Sequence, residues 1–196
     1  MDDSLPPGKE LCVRLPVIRP LKTGGLAFFI GADQMDGGLP MNTDEIFMKK
    51  AIELSALAVE HGNEPFGAVL MKDGEIVYTN ENQIYTASDP TFHGELGLLR
   101  RFCSETGVTD LSGYTLYSSC EPCFMCSGAM VWTKLGRLVY AASNVDLCSI
   151  LGDEGSECSR MVFEHSPFRP EVTAGVLREE SLTVLTNYFK NGGILL

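Results

Sequence analysis

Tyr114-Thr115-Leu116-Tyr117-Ser118-Ser119-Cys120-Glu121-Pro122-Cys123-Phe124-Met125-Cys126 is the stretch on which the fold turns. Its first part, 114–118, reads as a strand, and Pro122 suits the first turn of a helix that runs to about Lys134. Residues 137–142 then read as another strand. Strand, helix and strand in that order imply a right-handed crossover that lays the helix on one face of a sheet.

Working upstream, Asp89-Pro90-Thr91 is a turn leading into a helix on which Glu95, Leu98, Leu99 and Phe102 share one face. Before it, runs at 66–71 and 76–80 flank Lys72-Asp73-Gly74, and Asp-Gly between apolar runs predicts a hairpin. Earlier still, Thr43 can cap a helix whose start carries Asp44 and Glu45. Phe47, Ala51, Leu54 and Ala58 recur along it at helical spacing as far as Gly62. Downstream, 152–159 reads as an acidic, glycine-bearing loop, 172–177 as a strand and 178–190 as a last helix. The expectation is an α/β domain over 43–196 with a mixed sheet covered by helices. Residues 1–42 carry Pro6, Pro7, Pro16, Pro20 and Pro40 and no sustained period, which predicts an irregular arm holding at most one short strand.

A chain of 196 residues is one domain's length, since one hydrophobic core organises roughly 100 to 250 residues. With 44% hydrophobic and 21% charged residues, the composition excludes disordered, collagenous and coiled-coil chains. Fifteen Lys and Arg against 26 Asp and Glu leave a net charge of -11, a field that repels polyphosphates and disfavours nucleic acid as a partner. Seven cysteines, an odd number, with no charged leader and long apolar core at the start, predict a reduced, cytoplasmic protein. The longest early apolar run, 26–30, is far short of the roughly 20 residues a membrane span needs, so no membrane partner is expected.

Two segments carry chemistry: Thr91-Phe92-His93-Gly94-Glu95 and Ser119 through Cys126, each at the start of an expected helix. Cys123 and Cys126 are three apart, so their side chains leave one helix face and can reach one metal. His93 supplies a third ligand from another helix. Three ligands leave tetrahedral zinc one open position, the mark of a catalytic rather than a structural site. Glu95, two residues from the histidine, need not coordinate and is placed to carry protons. Cys120 offers a second pairing with Cys123, but it precedes Pro122 at a strand end, where a packed thiol is expected. Cys12, Cys103, Cys148 and Cys158 read as ordinary core or surface residues, and His61 and His165 as surface residues. Taken alone, Asn82 reads as a polar residue ending a hairpin strand, Phe66 and Trp132 read equally as core aromatics or pocket rings, and Asp153 and Glu154 read equally as a solvated acidic turn or a catalytic acid.

The pairing of H-x-E with P-C-x-x-C is the signature of zinc deaminases, and the chain resembles the cytidine deaminase-like superfamily. Gly62-Asn63-Glu64-Pro65-Phe66-Gly67-Ala68-Val69, Asp89-Pro90-Thr91, and Cys120-Glu121-Pro122-Cys123 followed by Gly128-Ala129 and Trp132 resemble its guanine deaminase branch. The likeness runs over 43–149. It implies a three-layer α/β/α sandwich around a five-stranded mixed sheet, zinc as cofactor, a small nucleobase-like substrate with guanine first, and a homodimer. It also implies that Asn82 hydrogen-bonds the base and that the rings of Phe66 and Trp132 meet the substrate. Glu154 falls at the family's second acidic position, with Asp153 beside it, and would join Glu95 in catalysis.

The chain departs from that branch at Gly94, where Ala is usual between His and Glu, and at Phe124, where Pro is usual. Leu151-Gly152-Asp153-Glu154 also meets a Gly-Phe-Asp-Asp context. tRNA adenosine deaminases share similar core motifs but would need a basic surface, and the last expected helix offers Arg178 and Lys190 against Glu179 and Glu180. A cytosine-type base deaminase is a further enzymatic alternative. An inactive zinc-stabilised interaction module is the alternative of another class, and Glu95 argues against it because a structural site has no use for that carboxylate.

Overall fold

In the computed structural model the described residues are 42–195, so the arm expected over 1–42 lies outside them apart from Asn42. The elements are α1 (Thr43–Glu60), β1 (Gly67–Lys72), β2 (Glu75–Glu81), α2 (Gly94–Thr106), β3 (Thr115–Cys120) and α3 (Phe124–Trp132). They continue with β4 (Arg137–Ala142), α4 (Asn144–Leu151), α5 (Cys158–Glu164), β5 (Glu171–Ala174) and α6 (Arg178–Lys190). The strands form one sheet in the order β2-β1-β3-β4-β5. β1 runs antiparallel to β2 and β3, while β3, β4 and β5 are parallel, so the sheet is mixed and five-stranded as expected.

The hairpin follows from its turn residues: Asp73 and Gly74 both take positive φ, 51° and 82°, as a tight two-residue connection between twisted strands requires. All six residues of β3 are buried, as befits a central strand covered on both faces. Leu116 packs with Leu98, Leu99 and Phe102 of α2 and Met130 of α3 on one side of the sheet. Tyr117, pointing the other way, packs with Phe47, Met48, Ala51 and Leu54 of α1. Each such fully buried apolar side chain is worth about 1.5–3 kcal/mol, so the two clusters hold the layers on either face. α1 lies so close to β1 that a Cβ on Gly67 would sit 2.3 Å from the Ala51 carbonyl oxygen. Only glycine permits that approach.

The structure corrects several boundaries. Asn42, not Thr43, caps α1: its side chain accepts from Glu45 N at 3.0 Å, and the Glu45 carboxylate accepts from Asn42 N at 3.0 Å. Pro122 lies just outside α3, because Cys123 is the extended N-cap residue. The stretch expected as loop over 152–159 is shorter, since α5 begins at Cys158, and α4 precedes it behind a Ser143–Asp146 capping box. β5 stops at Ala174 instead of Leu177 because Gly175 and Leu177 turn the chain through positive φ into α6. No helix among the described residues is long and apolar enough to cross a membrane.

Candidate active site

Two helix N-termini meet beside the end of β3. His93 is the N-cap residue of α2 and Cys123 that of α3, while Glu95 and Cys126 lie in the first turns that follow. Helix starts expose unpaired N–H groups and the positive end of the dipole, which favours thiolate and carboxylate there. The ligand atoms of His93, Cys123 and Cys126 all lie within 4.8 Å of one another. Nδ1 of His93 is 3.6 Å from Sγ of Cys123. One imidazole nitrogen and two cysteine sulfurs form a donor set that suits zinc and leaves a tetrahedral ion one further position. The residues present therefore fit the ion.

Glu95 stands beside this set and outside it, 6% exposed. Its Oε1 accepts from the Ser118 hydroxyl at 2.9 Å, and its Oε2 lies 3.5 Å from Cys126 Sγ. Burial pushes its carboxyl above the usual range, the negative Cys123 adds to that, and His93 and the Ser118 hydroxyl partly offset it. The Cys123 thiol is pulled down to about 4, first by the hydrogen bond from Cys126 and then by His93, against burial. Cys126 is pushed the other way as the donor to Cys123 and by burial. His93 is raised by its contact with Cys123, opposed by burial and assisted by the charges of Glu95 and Glu64.

Asn82 is fully buried where the loop leaves β2. Its backbone N–H donates to the Phe66 carbonyl at 2.8 Å and its Oδ1 accepts from Ile84 N at 3.1 Å. Its Nδ2 is a buried donor with no hydrogen-bond partner among the described residues. Such a group costs about 1–3 kcal/mol unless something pairs with it, so it points to a ligand acceptor. Phe66 is half-buried and packs against the cluster of Cys120, Ala142, Leu147 and Leu185. Cys120 is thus a packed thiol, as expected.

Two of the residues expected at the site are exposed. Trp132 is 88% exposed at the last residue of α3, six positions past Cys126 and about 9 Å further along the helix, and it is not a core aromatic. Glu154 is exposed in the connection between α4 and α5. Residues outside the two motifs also shape the site. Asn63 Oδ1 accepts from the backbone N of Tyr85 and Thr86, at 3.2 and 3.1 Å, and so holds the loop that follows Asn82. Buried Glu64 accepts from the Tyr85 hydroxyl at 3.4 Å. Glu121 takes three bonds, from Asn144 N at 2.9 Å and from the N and Oγ of Ser159 at 3.0 and 2.7 Å, tying the Pro122–Cys123 turn to α4 and α5. A glutamate directly before Pro-Cys is the visible sign of that anchor. Gly94 also gains a reason: a Cβ there would stand 3.3 Å from the Phe66 carbonyl oxygen, so the chain start of α2 packs tightly on the strand entry.

Known proteins resemble this chain in sequence and fold. The cytidine and deoxycytidylate deaminase zinc-binding region matches residues 41–142. Guanine deaminase of Bacillus subtilis (strain 168) is 42% identical over 103 residues, covering 52% of this chain and 66% of that enzyme. The tRNA-specific adenosine deaminase of the same organism is 34% identical over 150 residues, covering 76% of this chain and 91% of that enzyme. A solved structure from a study of A-to-I editing by tRNA:A34 deaminases superposes with a TM-score of 0.62 at 30% identity, over 71% of this chain and 98% of that one. Fold, ligand set and sequence agree, and the chain belongs to the cytidine and deoxycytidylate deaminase zinc-binding family, as a hydrolytic deaminase of the zinc type.

Proposed function

We propose that this deaminase acts on a free nucleobase, guanine first, converting guanine and water to xanthine and ammonia. The observation that carries the reading is the buried, unpaired Nδ2 of Asn82, which offers a donor to the edge of a planar heterocycle. Zinc held by His93, Cys123 and Cys126 would supply the Lewis acidity that makes water nucleophilic near neutral pH. Glu95 takes the proton from the attacking water and delivers it to the departing amine, the double role of a buried general acid–base. Asn82 orients the base, and Phe66 gives it an apolar wall. In this reading Glu154 assists proton transfer and Trp132 contributes a ring, both from exposed positions.

Charge supports a small substrate over RNA. Arg178 is bonded to Asp146 and Glu179, Arg160 to Glu157 and Glu164, and Arg137 to Asp44, so these guanidinium groups are already matched by carboxylates. A second reading, deamination of adenosine in tRNA, is favoured by the longer match to the tRNA-specific enzyme. The reading extends to a homodimer in a reducing, cytoplasmic setting. The exposed Phe124 and Trp132 of α3 support the first, and the free thiols of Cys103, Cys120, Cys148 and Cys158, outside the zinc set, support the second. The test is ammonia release from free guanine, adenine and cytosine and from an adenosine-bearing tRNA anticodon stem in one buffer at low and moderate salt. Turnover of guanine without RNA turnover is the expected result, and RNA turnover with no free base deaminated overturns the proposal.

A further inference from the structure

We infer that Ser118 is a positioning residue of the deamination step, its hydroxyl deciding which oxygen of Glu95 handles the proton. Glu95 is only 6% exposed, so packed neighbours and not bulk solvent set its orientation. Ser118 Oγ holds Oε1 at 2.9 Å, and this leaves Oε2 as the oxygen on the side of the ligand sulfur of Cys126. The donor is itself immobile. Ser118 is 2% exposed in the central strand, paired with Ala68 of β1 and Tyr140 of β4.

The sequence pattern agrees. Ser118 lies on the same face of β3 as Leu116, the face that packs against α2 and α3, where an apolar side chain would otherwise be the natural choice. A buried hydroxyl there needs a partner, and the partner is the Glu95 carboxylate. The other nearby buried serines are used differently: Ser119 Oγ accepts from Gly67 N, and Ser127 Oγ donates to the Pro122 carbonyl. Of these three, Ser118 alone touches the acid. An O–H donor to a carboxylate fixes its orientation, and a catalytic group held in one orientation reacts faster than one that must find it.

The inference rests on the proton-carrying role given to Glu95, not on guanine as the substrate. The test compares Ser118→Thr with Ser118→Val, which have the same shape and differ in the hydroxyl. Using whichever base the wild-type enzyme deaminates, the Val variant should show kcat about 10- to 100-fold below the Thr variant, with KM unchanged, because a hydrogen bond to a charged group is lost. Zinc content and thermal midpoint should match between the two. Should the added methyl unfold both, Ser118→Ala against wild type gives the same comparison, and in a Glu95→Gln background it should cost nothing more. Independently of turnover, the Glu95 carboxylate band in the infrared, identified by difference with Glu95→Gln, should shift in the Val or Ala variant and not in the Thr variant. Equal kcat for Thr and Val, an unshifted band, or a kcat loss that tracks zinc loss overturns the inference. Failure of the guanine reading would show separately, as wild-type protein that releases ammonia from another base.

Discussion

Asn80 Nδ2 donates to the Gly94 carbonyl at 2.9 Å, so the end of β2 grips the first turn of α2 between His93 and Glu95. The same amide donates to the Glu81 carbonyl at 2.9 Å, and its Oδ1 accepts from Arg101 at 3.2 Å. Because Asn80 is buried and fully used, Asn80→Ala should cost about 1–3 kcal/mol of stability. It should also loosen zinc, since the turn bearing the histidine ligand is freed. Thermal melts with metal analysis check this. Unchanged zinc retention in a destabilised variant would show that the grip serves the fold alone.

Ligand and acid should separate under mutation. Cys126→Ala and His93→Ala remove donors from the three-atom set and should release zinc, whereas Cys120→Ala should retain it, since Cys120 packs against Ala142, Leu147 and Leu185. Glu95→Ala should keep zinc while turnover falls by roughly 10² to 10⁴, the span for one general acid–base group. Metal content and kcat measured on the same preparations decide it. Zinc loss in the Glu95 variant equal to that in Cys126→Ala would make Glu95 a ligand.

The grouping of His93, Cys123 and Cys126 is legible in the sequence because its determinants are local: a three-residue spacing, a proline and an H-x-E segment. β4 and α6 fall where the sequence places them for the same reason, as runs with clear ends. What escapes depends on distant parts meeting. Ser118 and Glu95 are 23 positions apart, and Asn63 and Thr86 likewise, and no periodicity announces such pairs. α4 escapes because it is a short helix, though the Ser143–Asp146 box marks its start. Trp132 reads as an aromatic of core or pocket because residue type says nothing of which helix face it occupies. The buried face of α3 carries Cys126 and Met130, four apart, and Trp132 falls off it.

Acid should weaken the attachment of α6. Arg178 bonds to Asp146 and holds its carboxyl down to about 2 from an ordinary 3.8, with burial opposing and Ser143 assisting. A depressed folded-state value means that the ionised form favours folding, so the contribution is complete above the ordinary value and is lost as pH falls through about 2. The stability gap between wild type and Arg178→Met, from urea melts, should be steady near neutrality and close across that window. It should also shrink with salt, because the Arg178 side chain is 44% exposed. A gap that widens on acidification would mean that another pair holds the helix.

Asn82 should affect catalysis and stability unequally. Truncation to Ala removes the acceptor for Ile84 N and leaves that buried donor unpaired, at a cost of about 1–3 kcal/mol. It also removes the buried, unpaired Nδ2, whose desolvation costs the folded protein about 1–3 kcal/mol. These terms oppose each other, so the net change in stability should stay within about 2 kcal/mol of zero even though the residue is fully buried. Catalysis has no such offset. If Nδ2 donates to the base, its loss leaves a polar ligand atom unpaired and should lower kcat/KM by about 1 to 3 kcal/mol, roughly 5- to 150-fold. A residue kept for function at some expense to the fold shows this signature. Urea melts and steady-state kinetics on Asn82→Ala measure both halves. Near-normal kcat/KM for the preferred base with several kcal/mol of stability lost would reassign Asn82 to the framework of the loop and remove the main support for base recognition there.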